Sequence, residues 1–453
     1  MNKFFLVTAC MICLIGCKKF KLKNELPAQW PPKPAGFISN PKNLNIVYFV
    51  PKDNPAVPGY KERLSDLFTY FQRYIQAEMI RNGYPGKTIG LPLDLATKRV
   101  KIITIQGTQS QTVYDYGSFG IIIDEINTYK TTHAAEFSGV HSIILLPQRT
   151  VGTEQPFYGL GKNCFAVDNA NINVGQIPIT TSNFIGGMLH ELGHGLGLPH
   201  NMAKVSEQPI LGTALMGTGN STFGRQPTFL TKADCAVLNR NEIFQPTDVG
   251  PYYGVSNSSI IVKAVHNASL FSIDISGSFT SDKTVSELLY WVDPNVNNEG
   301  SAGDYNSVAW VAPLVGTNGI GLSIPLSEIQ NKANNPSELK VKLLFTDGGV
   351  RTYTYDFKFA NDIPVFNEPV RVYQHCGFGG ITAAFTLGNY TTAQMVAAGI
   401  ANNDISGVKI PLGIKVVLYD GDNFTGNSIE ITSSNNCVTQ FNDLTSSIKV
   451  LVN

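Results

Sequence analysis

Between Gly186 and His200 the chain reads GGMLHELGHGLGLPH, and no other stretch limits its folding so closely. It holds three of the seven histidines, with one glutamate and several glycines among them. If the segment from Phe184 is helical, His190 and His194 lie one turn apart on one face, with Glu191 beside them. Two imidazoles so placed can hold one cation while the carboxylate sits next to its water. His200 lies too far along a continuing helix to join them, so the chain must leave the helix and turn sharply. Gly195 or Gly197 can end the helix, because glycine takes positive φ at little steric cost, and Pro199 discourages continuation. Three neutral imidazoles plus one open position is what a catalytic zinc site uses, which makes His190, His194 and His200 candidate ligands. Gly186, Gly187 and Gly193 allow close packing around this helix.

A chain of 453 residues is too long for one ordinary core, so several domains are expected. Lysine plus arginine equals aspartate plus glutamate at 34 each, without blocks of like charge, which argues against a nucleic-acid partner. From Leu44 the pattern is mixed α/β. NLNIVYFV reads as a buried strand, and Tyr60 to Gly83 places Leu64, Leu67, Phe68, Phe71, Ile75 and Met79 on one helical face. RVKIITIQ, FGIIID and HSIILLP read as further strands. From about Pro251 to Ala360 short alternating runs with turns between them predict a β-sandwich. The expected divisions are 43–248, 249–362 and an all-β segment at 366–453.

The spacing of His190, Glu191, His194, Gly197 and His200 resembles the metzincin metalloproteases, whose signature is HExxHxxGxxH. TALMGTG places Met216 as the family's methionine turn, and FLTKADCAVLNRNEIF reads as its closing helix. The resemblance implies an α/β (α+β) catalytic domain, zinc on the three histidines and Glu191 as general base in peptide-bond hydrolysis. Zinc lowers the pKa of a bound water to about 7 and polarises the scissile carbonyl. It also implies an extended polypeptide substrate paired with an edge strand between Leu145 and Ala170. One departure is that GTGNSTFGRQPTF lacks the tyrosine some metzincins carry after the methionine turn.

In the last segment, YQHCGFGG from Tyr373 and YDGDNFTG from Tyr419 share one pattern: aromatic, four residues, phenylalanine, one residue, glycine. Each half then has a polar turn, NNDISG from Asn402 and NDLTSS from Asn442. The pair resembles the double Greek key of a βγ-crystallin domain. That likeness implies Ca²⁺ on hard oxygen donors, with Asn402, Asn403, Ser406, Asn442, Asp443 and Ser446 as candidates. Gly407 stands where the first motif's last serine is expected. Beyond Cys17 the cysteines are Cys164, Cys235, Cys376 and Cys437, which allow three pairings. Domain order favours Cys164 with Cys235 and Cys376 with Cys437, while free buried thiols are the alternative for either pair.

Residues 1–17, MNKFFLVTACMICLIGC, combine a lysine, an apolar run and Leu14-Ile15-Gly16-Cys17, which is the pattern of a secretory signal. Its end resembles a bacterial lipobox, implying a lipid on Cys17, export and an outer-membrane anchor on the periplasmic or cell-surface face. Residues 18–42, with PAQWPPKPAG, read as an extended tether. The expectation is a lipid-anchored zinc endopeptidase acting on extracellular proteins or glycoproteins. The alternative is a surface binding protein whose C-terminal β domains recognise a glycan or protein.

Overall fold

Strand β1 (Asn45–Val50) is buried along its whole length, as befits an apolar run inside a parallel sheet. The computed structural model describes residues 36–152, 154–177, 182–296, 303–366 and 368–453, so Cys17 and most of the proline-rich tether lie outside the described residues. From Phe37 onward these residues belong to one compact unit.

Helix α1 (Tyr60–Arg81) follows, then β2 (Ile103–Gln106), α2 (Phe119–Thr132), β3 (Ser142–Pro147), β4 (Tyr158–Leu160) and β5 (Asn163–Asp168). The sheet runs in the order β2-β1-β3-β5-β4, parallel throughout except for β4 at its edge. Helix α1 buries Leu64, Leu67, Phe68, Phe71, Ile75 and Met79, the stripe its periodicity predicts. On the sheet's other face α2 packs Ile122 and Ile126 with Phe49, Ile105 and Leu146. Here the sequence expectation fails, since FGIIID opens α2 and is not a strand. Its isoleucines look strand-like one by one, but burial recurs every fourth residue, at Ile122 and Ile126, while Ile121 is exposed.

A π-helical turn over Ser182–Gly186 leads into α3 (Gly187–Gly195), which is followed by α4 (Gln208–Leu211), β6 (Thr213–Ala214), β7 (Thr228–Phe229) and α5 (Lys232–Arg240). The expected closing helix is shorter than its sequence run: Phe229 ends β7, and Thr231 with Asp234 forms a capping box that starts the helix at Lys232. The pairing of Cys164 with Cys235 does not occur, and both are free buried thiols. Cys164 sits on β5 beneath α3, whereas the Cys235 thiol lies against α1, donating to Glu78 O at 3.6 Å and accepting from Asn82 Nδ2 at 3.2 Å. Cys376 and Cys437 are joined.

Among the described residues the middle region is β apart from loops and a 3-10 turn at Leu326–Glu328: β8 (Ser258–Asn267), β9 (Ser272–Ser281), β10 (Val285–Asp293), β11 (Val308–Ala312), β12 (Gly319–Pro325), β13 (Pro336–Phe345), β14 (Val350–Ala360) and β15 (Ile363–Val365). Two antiparallel sheets, β11-β10-β13-β14-β15 and β12-β9-β8, share one core that includes Ile260, Ile275, Tyr290, Val341 and Tyr355. The other face of the larger sheet sends Leu289, Trp291, Ala309 and Leu344 into the core built by α1, α3 and α5. Strand β10 therefore has both faces covered, which is why LLYWV does not alternate.

The last region comprises β16 (Val370–His375), β17 (Gly379–Phe385), β18 (Gly388–Tyr390), α6 (Thr392–Ala397), β19 (Gly407–Lys409), β20 (Ile414–Gly421), β21 (Thr425–Ile431) and β22 (Ser447–Val452). Its sheets are β17-β16-β19 and β18-β22-β20-β21, so β18 of the first half pairs with β22 of the second. In return, Asn435 of the second half bridges Val408 on β19. This exchange makes two linked Greek keys. The repeated corners match: the Tyr373 and Phe378 rings are 5.2 Å apart and those of Tyr419 and Phe424 6.0 Å, with Gly380 and Gly426 at φ 75° and 78°.

Candidate metal centre

Helix α3 ends as the sequence requires. Gly197 takes φ 90°, and the Leu198 amide donates back to Gly193 O at 3.0 Å while the Gly197 amide donates to His194 O at 2.9 Å. This Schellman-type stop turns the chain so that His200 comes back towards His190 and His194. The other glycines mark close approaches: a β-carbon at Gly193 would collide with the Met216 sulfur, at Gly187 with the Phe157 ring and at Gly186 with Asn220 O.

The three imidazoles converge. His194 Nε2 lies 3.1 Å from His190 Nε2 and 3.0 Å from His200 Nε2. Each Nδ1 meets a carbonyl oxygen: Leu215 O at 2.8 Å from His190, Leu198 O at 2.9 Å from His194 and Gly303 O at 2.9 Å from His200. A carbonyl can only accept, so each Nδ1 carries the hydrogen and each Nε2 is left with a bare lone pair. Burial, the largest effect, pulls His190 down to about 4 and His194 to about 3, so both are neutral at ordinary pH. Three lone pairs facing one another with no proton between them repel unless a cation joins them. Tetrahedral zinc at 2.0–2.1 Å would set its ligand nitrogens about 3.3 Å apart, close to the spacing seen. The residues present thus fit the metal.

Glu191, on the same helix, is half-buried, and burial pushes its carboxyl up to about 7 although the Gly159 amide donates to it and lowers it. Gly159 belongs to the edge strand β4, within the segment expected to supply one. Its backbone lies so close to α3 that a β-carbon there would collide with His194. Met216 is fully buried, with its sulfur against Gly193 of α3. The expected site residues of this region are thus brought together.

Three further residues at this centre come from the middle region, and sequence reading missed them. The Tyr305 ring stacks on His200 with centroids 3.7 Å apart and planes at 23°. Gly303 O accepts from His200 Nδ1, and Trp291 Nε1 donates to His200 O at 3.0 Å. Gly303 and Tyr305 sit in a polar loop with no motif. Trp291 had a signal, since the unbroken run LLYWV announces a strand whose second face must cover something.

The candidate calcium donors pair across the two halves. Ser406 Oγ shares its proton between Gln374 O at 2.7 Å and Asp443 Oδ1 at 3.0 Å, and Ser446 Oγ donates to Asn403 Oδ1 at 3.1 Å. The Asn403 amide donates to Thr445 O at 3.0 Å and the Asp443 amide to Ile405 O at 3.1 Å. Asn402 and Asn442 are exposed beside them.

No protein-family model matches the sequence. Among solved structures the chain is similar to OgpA from Akkermansia muciniphila, at 31% identity over 72% of this chain and 96% of that one, with a TM-score of 0.67. It is equally similar to catalytically inactive OgpA in complex with an O-glycopeptide substrate, glycodrosocin, at 30% identity over 73% and 96% of the two chains and a TM-score of 0.67. Development-specific protein S of Myxococcus xanthus is 40% identical over 82 residues, 18% of this chain and 47% of that protein. The chain spans about half the length of the curated relatives it matches. A metallopeptidase fold with three convergent histidines, OgpA matched over nearly its whole length, and two linked Greek keys in the last region, similar there to protein S and, at 39% identity, to a βγ-crystallin domain from Flavobacterium johnsoniae, lead to one assignment: the chain belongs to the OgpA family of metzincin-type metallopeptidases and carries in addition a C-terminal βγ-crystallin domain.

Proposed function

We propose that this chain is a zinc-dependent endopeptidase that hydrolyses peptide bonds in O-glycosylated proteins. The observation that carries the reading is the set of three Nε2 lone pairs turned on one another, each fixed by a carbonyl on the opposite nitrogen, with Glu191 on the adjoining helical position. His190, His194 and His200 would hold the metal. Bound zinc supplies a Lewis acid that acidifies water and polarises a carbonyl. Glu191 is the general base and returns its proton to the departing amine. An extended substrate lies along β4, whose outer edge has no partner strand among the described residues. The glycan preference is taken from OgpA, which was crystallised with an O-glycopeptide.

Around this centre we read the middle sheets as a β-sandwich at 249–362 and the region 43–248 as the catalytic domain. The paired turns at Asn403, Ser406, Asp443 and Ser446 take Ca²⁺, and Cys17 carries a lipid that holds the exported chain at a bacterial outer membrane. The test is a peptide with one O-glycosylated serine or threonine beside the same peptide without the glycan, each incubated with zinc-loaded protein. The expected result is cleavage of the glycopeptide at least about ten times faster. Equal rates would overturn the glycan preference, and cleavage of neither would overturn the peptidase itself.

A further inference from the structure

His190 and His194 are positioned by their own helix and its immediate surroundings, for the carbonyls that fix them belong to Leu215 and Leu198. His200 is different. It lies beyond the helix stop, and its ring's Nδ1 hydrogen bond and its stacking partner both come from the loop before β11, Gly303 O at 2.9 Å and the Tyr305 face at 3.7 Å. Its own carbonyl is taken by Trp291 of β10. Two residues on, the Met202 amide is tied in the same direction, donating to Ser307 O at 2.8 Å, whereas Asn201 between them is held by the catalytic region, through Asp234 Oδ1 at 2.7 Å and, from its amide, Met216 O at 3.3 Å.

The loop that makes these contacts is itself fixed. The Ser307 amide donates to Asp304 O at 2.9 Å, closing a turn in which Asp304 stands at φ 67°. The Asp304 carboxylate is paired with Lys340 of β13. Behind the loop, Leu289, Trp291 and Leu344 are buried in the catalytic core. A ring whose Nε2 must come within 3.0 Å of His194 Nε2 is therefore aimed by a surface belonging to another part of the chain.

We propose that the loop Gly303–Ser307, with Tyr305 as its main positioning residue, completes the metal centre by aiming His200, so that metal affinity depends on the middle region. This rests on the reading of the three histidines as zinc ligands. Groups that orient a metal ligand are typically worth about 10–100-fold in metal affinity. Coupling of this kind is reciprocal, so zinc should in turn steady the loop.

The experiment measures zinc affinity of the full chain by chelator competition for wild type, Tyr305→Ala, Tyr305→Leu and Tyr305→Phe. Tyr305→Ala and Tyr305→Leu should weaken zinc binding about 10–100-fold, whereas Tyr305→Phe, which keeps the stacked ring, should stay within about twofold of wild type. In the wild-type chain, hydrogen exchange at the Met202 and Ser307 amides should slow on zinc loading, a measurement that needs no variant to fold. Unchanged zinc affinity in Tyr305→Leu, or exchange at both amides indifferent to zinc, would overturn the proposal while leaving a zinc peptidase in place. A wild-type chain that binds no zinc would overturn both.

Discussion

The histidine cluster and the paired turns of the βγ-crystallin domain are both metal motifs in sequence, yet their polar atoms are arranged in opposite ways. In the cluster every proton points outward to a carbonyl and the lone pairs point at one another. In the turns each hydroxyl has an acceptor within the domain, Ser406 in Gln374 O and Asp443 and Ser446 in Asn403. A site of the first kind is frustrated without its cation, whereas a site of the second kind is content in either state. Metal should be integral to the first and an adjustable stabiliser of the second.

The strongest attempt to break this contrast is His194→Ala. His194 Nε2 is the atom close to both of the others, so its loss should abolish stoichiometric zinc and reduce peptide hydrolysis by more than the about 100-fold ascribed to supporting groups. Elemental analysis and a rate assay check it. Next comes the βγ-crystallin domain, whose order we attribute to covalent closure as well as packing. The Cys376–Cys437 bond spans 61 positions, so Cys376→Ser with Cys437→Ser should lower that domain's stability by about 4 kcal/mol while leaving zinc content unchanged, as followed by denaturant unfolding. Calcium should act more gently. At about 100 times its dissociation constant it adds about 2.7 kcal/mol, seen as a rise in the domain's melting temperature, and Asp443→Ala should remove that rise. The smallest effect is expected for Met216→Leu, a volume-conserving change that should cost under about 1.5 kcal/mol of stability and leave zinc affinity as it is, because the buried thioether packs and does not ligate.

The contrast also explains what was legible in sequence. The HExxHxxGxxH spacing is local, and local spacing on a helix with a glycine stop determines geometry, so His190, Glu191, His194 and His200 could be placed without coordinates. The repeated aromatic corners around Tyr373 and Tyr419 could be aligned for the same reason. What depends on distant parts of the chain could not be read. Nothing in GDYNS marks Tyr305 as a neighbour of His200, and the free thiols of Cys164 and Cys235 pack against different helices, α3 and α1, an arrangement no cysteine count contains. The half-motifs at Asn402 and Asn442 are each local in sequence, while the fold joins their donors across the halves. FGIIID failed by a subtler route, since β-branched residues favour strands by composition but the burial of Ile122 and Ile126 follows a helix.

The most direct test of the central claim is Glu191→Gln, measured for zinc content and for hydrolysis of the same O-glycopeptide. Glutamine keeps the side chain's shape and leaves the three imidazoles in place, so one zinc per chain should remain and the melting temperature should hold. Its amide oxygen is too weak a base to take a proton from water or pass it to the departing amine, so the rate should fall by about 10²–10⁴. A variant that retains its zinc and cleaves at the wild-type rate would contradict the assignment of Glu191 as the base.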